Sequence, residues 1–140
     1  MSVLKKLVEN PSYGAKVDFS LLLIRIIAGG FMLTHGYPKM IKLLDGNFQF
    51  ADPLGMGVEL SLILAVFAEI VCALFILLGI LPRLSAIPLI VTMLVAAFIA
   101  HAGDPFKSKE ASLMYLLLYV IVLILGAGKY SIQGLLGKGK

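Results

Sequence analysis

Charge is what this chain has least of. Asp, Glu, Lys and Arg together make up 14% of its 140 residues, where a soluble domain carries about a quarter. Apolar residues reach 60% and the mean hydropathy is +1.01. That scarcity excludes an ordinary soluble domain. Cysteine is nearly absent as well. Cys72 stands alone, so no internal disulfide can form and no C-x-x-C pair exists for dithiol exchange. A single buried thiol reads as a small hydrophobe. Histidine occurs twice and tryptophan not at all. The chain also lacks a metal-spaced cluster, a phosphate loop, an internal repeat and a nucleic-acid signature. The net charge of +4 belongs to the basic face of a membrane protein.

What is present is apolar length. Four runs, Val17–Tyr37, Val58–Leu81, Leu84–Ala100 and Ala111–Ala127, reach or approach the ~20 residues a bilayer core demands of a helix. Lys5 and Lys6 precede the first run as in a signal peptide. The run starts too far downstream and no small-residue cleavage pattern follows, so it reads as a retained helix. The expected fold is all-α, an integral membrane four-helix bundle. Residues 1–18 form an N-terminal interfacial segment, 19–130 the transmembrane domain and 131–140 a tail. Val3, Leu4, Leu7 and Val8 can form a short interfacial helix stopped by Asn10-Pro11, or a frayed tail. Lys5, Lys6, Lys16, Arg83, Lys129, Lys138 and Lys140 fall on the side of the termini. The positive-inside rule therefore makes both termini cytoplasmic.

The loops differ in kind. Leu81-Pro82-Arg83 is a tight turn that makes runs two and three antiparallel neighbours. Ile41–Gly57 is long and aromatic, the composition of a lid, a re-entrant cover or a segment resting on the membrane surface. Ser108 reads as an N-cap with Lys109-Glu110 in the first turn. Gly126-Ala127-Gly128 ends the last helix.

An ionisable side chain inside a membrane is a functional hypothesis by default. At ~1.5 Å per residue from the cytoplasmic edge, Arg25 lies ~9 Å deep, Glu69 ~16 Å, and His35 and His101 both ~25 Å. Side chains lean toward the N-terminus of their helix. Arg25 thus leans to the inner headgroups, where it can snorkel, while Glu69 leans outward and the two histidines lean down to meet it. An Arg25–Glu69 ion pair is the poorer geometry. Arg25, Gly29, Met32, His35, Gly36 and Lys39 share one stripe of the first helix. Tyr115 and Tyr119 lie one turn apart on the fourth. Lys39, Asp104 and Glu110 would rim the mouth of a polar pocket open to the outer side. Each group has a plainer use: histidines bonding headgroups, tyrosines as interface aromatics, Asp104 as a turn residue before Pro105. Glu69 alone has none, because a lone midplane carboxylate should be neutral or paired.

Leu22-x-x-Arg25-x-x-x-Gly29 with His35-Gly36-x-x-Lys39 resembles the first-helix signature of the DoxX family of small four-helix membrane proteins. Glu69-x-x-x-Ala73-Leu74-x-x-Leu77-Leu78-Gly79 and Arg83-x-x-Ala86 resemble its second block. Met93-x-x-Ala96 with His101 resembles the third, and Gly126-Ala127-Gly128-x-x-Ser131 the last. The closing Ser-Leu-Asp usual in the family is Ser131-Ile132-Gln133 here. The resemblance implies a four-helix bundle in the plasma membrane and an association with redox chemistry. Relatives include the membrane subunit of a thiosulfate:quinone oxidoreductase, members of oxidative-stress complexes and of catechol or quinone detoxification, and distant assembly factors.

Two classes of function follow. In the first the chain is a quinone-linked membrane oxidoreductase or its quinone-binding subunit. Glu69, His35 and His101 would then be catalytic proton carriers, with Lys39, Tyr115, Tyr119, Arg25 and Asp104 holding the quinone. No flavin, iron–sulfur or dithiol centre is visible, so a redox partner subunit or a bound donor supplies electrons. Haem between His35 and His101 is a variant of this class, without the flanking helix pattern such a site needs. In the second class the chain is a scaffold or assembly factor, docking a partner or a second copy through Ala28, Gly29, Gly30, Ala96, Ala97 and Ala100. A proton-coupled transporter would draw on the same carboxylate, but four helices without a repeat do not suit one.

Overall fold

A computed structural model of the chain describes residues 2–137. It is all-helical among them, and four helices are long and apolar enough to cross a membrane. Helix α1 (Val3–Val8) is short. The spans are α2 (Ala15–Leu44), α3 (Val58–Leu78), α4 (Pro82–Ala100) and α5 (Phe106–Leu125). Helix α6 (Ile132–Leu136) closes the chain, with the Ser131 hydroxyl accepting from the Gly134 N–H as its N-cap. The four spans run alternately up and down, which brings α1 and α6 to one face. The 45–57 loop and the α4–α5 turn lie at the opposite, loop face.

Three boundaries differ from those expected. Helix α2 runs on to Leu44 and carries Pro38 within it, so the long loop starts at Asp45. The α3–α4 turn is Gly79–Leu81, where Gly79 and Leu81 both take positive φ and Pro82 opens α4, the first-turn position proline tolerates. Helix α5 begins at Phe106 behind Pro105. Ser108 therefore lies inside the first turn and does not cap it; proline's fixed φ sets the start instead.

The core threads Ala28, Met32, Ala73, Ile76, Leu89, Met93, Tyr119 and Val122. Small residues set how closely α2 and α3 cross. A Cβ on Gly29 would sit 2.7 Å from the Ala73 carbonyl oxygen, and one on Gly36 2.7 Å from that of Glu69. Both are closer than real side-chain carbons come, so these glycines are the contact points themselves. Helices α2, α3 and α4 each contain a π-helical stretch, Ile26–Phe31, Phe67–Cys72 and Ala96–Ala100. Such widened turns leave backbone carbonyls for other partners. The Tyr119 hydroxyl takes one, donating to the Ala28 carbonyl at 2.8 Å.

Arg25 corrects an expectation. It is 2% exposed and does not snorkel. Nε donates to the Ile76 carbonyl, Nη2 to Leu77, and Nη1 to both Ala127 and Tyr130, all at 2.8–3.0 Å. These carbonyls end α3 and follow α5, where a helix leaves its last acceptors unsatisfied. One guanidinium thus caps two chain ends with its fixed fork. Around it, Asn10 bonds the backbone of Ala127 and Gly128, Asp18 accepts from the Lys129 N–H, and Tyr13 donates to the Leu125 carbonyl. Gln133 accepts from the Leu81 N–H and donates to the Val8 carbonyl. Its amide carries both an acceptor and a donor, and it ties α1 to the α3–α4 turn.

Candidate functional site

Gly36 lays the α2 backbone on Glu69, and Lys39 follows almost one turn later on the same face of α2. Its Nζ reaches the Glu69 Oε2 at 2.5 Å. The pairing is asymmetric: the Glu69 side chain is 3% exposed and that of Lys39 31%. Lys39 is the hydrogen-bond partner of the buried Glu69 carboxyl, and its amino group keeps one side turned to open space. Glu69 stands in the π-helical stretch of α3, the kind of helix distortion frequent at functional sites.

That open space is a cavity of about 310 Å³, at the lower end of the range for small-molecule sites. Lys39 and Glu69 form its polar end. Leu64 and Ala65 of α3 and Val91, Val95 and Ala96 of α4 wall it, and Phe50, Pro53, Leu54 and Met56 cover it from the 45–57 loop. The Lys39 ammonium sits 5.7 Å from the centre of the Phe50 ring, within cation–π reach. His101 lines the cavity too, its Nδ1 2.7 Å from Asp104 Oδ2.

The cover is tied down at one residue. Asp52 accepts from the Met56 and Gly57 N–H groups and from the Ser61 hydroxyl at 2.9–3.0 Å. Desolvation pushes its carboxyl pKa up, but the Ser61 hydroxyl and the Gly57, Met56 and Gly55 amides outweigh that, leaving it below the ordinary aspartate value. Gly57, at φ 103, lets the chain turn into α3 directly after this knot.

The residues predicted from sequence divide into two groups. Lys39, Glu69 and His101 meet at the cavity, and Asp104 stands behind His101. The others do not join them. His35 is exposed and packs edge-on against Tyr115, with ring centres 5.6 Å apart. Tyr115 stacks on Tyr119 at 6.2 Å, and Tyr119 is buried with its hydroxyl on Ala28. Arg25 is committed to carbonyls at the terminal face. Glu69 thus pairs with the lysine of the stripe and shares the cavity with His101 but not with His35, and the imidazoles face different neighbours. The reason is the crossing at Gly36, which brings Lys39 over Glu69, while His35, one residue earlier, faces α5. Sequence reasoning missed Phe50, Asp52 and Ser61. An aspartate four and five residues before the amides it binds, next to glycine at a helix start, was the signal for the knot.

A larger hollow, about 740 Å³, lies at the terminal face between α1 and α6. It holds no buried ion pair. Among the described residues no three His, Cys, Asp or Glu side chains converge to hold a metal ion.

A family model described as DoxX matches residues 20–102, a stretch that includes Lys39, Glu69 and His101. No curated protein and no solved structure matches the chain.

Proposed function

The chain belongs to the DoxX family, and we propose that its cavity is the quinone site of a membrane redox complex in the plasma membrane, with both termini cytoplasmic. The observation that carries this reading is a carboxylate–ammonium pair, its carboxylate buried and its ammonium partly open, in a cavity lined mostly by apolar side chains. A quinone ring is flat and apolar with a carbonyl oxygen at each end, and these residues suit it. Lys39 is placed to donate to one carbonyl oxygen, Glu69 accepts from Lys39 and aims it, and Phe50 lies against the same space. Bound quinone takes up two electrons and two protons. Lys39 can pass a proton that Glu69 helps it hold, and His101, oriented by Asp104, can bring protons from the loop face. In this reading the electrons come from a redox partner subunit or a bound donor. The scaffold reading is weaker. Of the residues offered for docking, Ala28, Gly29 and Ala97 are buried inside the bundle, Gly30 and Ala96 are half-buried, and Ala100 alone is exposed.

The test is a solvent extract and an oxidised-minus-reduced spectrum of the protein purified in mild detergent. Quinone near one per chain, lost in Glu69→Gln, is expected. A preparation holding only phospholipid, in which Glu69→Gln alters complex formation alone, would move the function to the assembly-factor class.

A further inference from the structure

Helices α3 and α4 meet at the Gly79–Leu81 turn and separate toward the loop face. The first half of α3, Val58–Val66, hardly touches the last turn of α4, Ala96–Ala100, whereas the middle of α3 packs firmly on α4. The cavity fills that wedge. Lys39 and Glu69 line its inner part, and Phe50, Pro53, Leu54 and Met56 line its loop-face end. Its side is formed by Leu64 and Val91, which are 46% and 52% exposed. Leu64 lies six residues into α3 and Val91 nine residues from the end of α4, so these lips stand ~9–14 Å inside the span. A surface exposed at that depth faces acyl chains and not water.

We infer that this site receives its ligand sideways from the bilayer, and that the ligand is a quinone with a long hydrocarbon tail, its ring at Lys39 and its tail leaving between Leu64 and Val91. This rests on the quinone reading above and narrows it, because a water-soluble quinone or catechol would have no use for an apolar side opening. The occupant follows from the continuity of the two parts. The polar pair lies at the inner end of the same wedge whose apolar lips open to lipid. The loop tied through Asp52 to Ser61 lies over the loop-face end of the wedge.

The absence of tryptophan from the chain makes the test direct. Val91→Trp, reconstituted in vesicles, gives a single fluorophore on the lip. Quenching by phospholipids brominated on their acyl chains, with little quenching by aqueous acrylamide, is expected. A benzoquinone carrying a ten-carbon chain should bind Val91→Trp about tenfold more weakly than the unaltered protein, from steric filling of the lip. The same ring without a chain should be affected less than about twofold. Quenching by acrylamide alone, or equal loss for both quinones, would overturn lateral access while leaving the quinone reading in place. If neither quinone binds the unaltered protein, the quinone reading itself fails and this inference falls with it.

Discussion

Lys39 and Glu69 are worth more as a pair than either is alone. Lys39→Met leaves the Glu69 carboxylate enclosed without a cation, and removing one member of a buried pair costs about 3–5 kcal/mol. The partial exposure of Lys39 puts the expected loss at the lower end of that range. Lys39→Met combined with Glu69→Leu removes both charges and should recover most of the stability in a detergent unfolding titration. A double variant no more stable than Lys39→Met would show that the pair is not coupled as its geometry requires. Arg25 belongs to the other face and to another role. Arg25→Lys keeps the charge but loses the planar fork across the Ile76, Leu77, Ala127 and Tyr130 carbonyls. The expected result is a stability loss of about 3 kcal/mol with quinone affinity of the folded fraction unchanged. An affinity change without a stability loss would contradict the structural role.

At the scale of elements, the crossing of α2 over α3 and the loop over the cavity govern the site. Gly36→Ala forces its new methyl into the Glu69 carbonyl, so the helices must part where Lys39 meets Glu69. The expected cost is about 1–3 kcal/mol with weakened quinone binding. Full binding in a Gly36→Ala protein would mean that the crossing does not set the pair. The 45–57 loop depends on Asp52. Its carboxyl pKa is depressed in the folded chain, so its contribution is complete above the ordinary aspartate pKa of about 3.9 and is lost as pH falls through the lower folded value. Hydrogen exchange of the Met56 and Gly57 amides should therefore stay protected at neutral pH and open only in strong acid. Asp52→Asn should expose them at all pH values. Protection indifferent to both acid and substitution would remove Asp52 from the loop's closure.

For the molecule as a whole, four apolar runs among few charges were enough to read a four-helix membrane bundle, because length and hydropathy alone decide what can span lipid. Glu69 was legible for the same reason: a charge at that depth needs a partner. Which partner was not, since helix depth places His35, His101 and Lys39 in one zone but leaves open the rotation of α2. That rotation follows from close contact at Gly29 and Gly36, and a sequence shows small residues without showing what they touch. Arg25 misled for a related reason. Its snorkelling direction was reasonable for an isolated helix, but α3 and the chain after α5 end beside it and offer carbonyls that lipid does not.

The most direct measurement is a titration of a tailed benzoquinone against the purified, folded protein beside the Lys39→Met, Glu69→Leu double variant. Saturable binding near one per chain in the unaltered protein, and none in a double variant that melts normally, is the predicted result. Equal binding by both proteins, or none by either, would contradict a quinone site at Lys39 and Glu69.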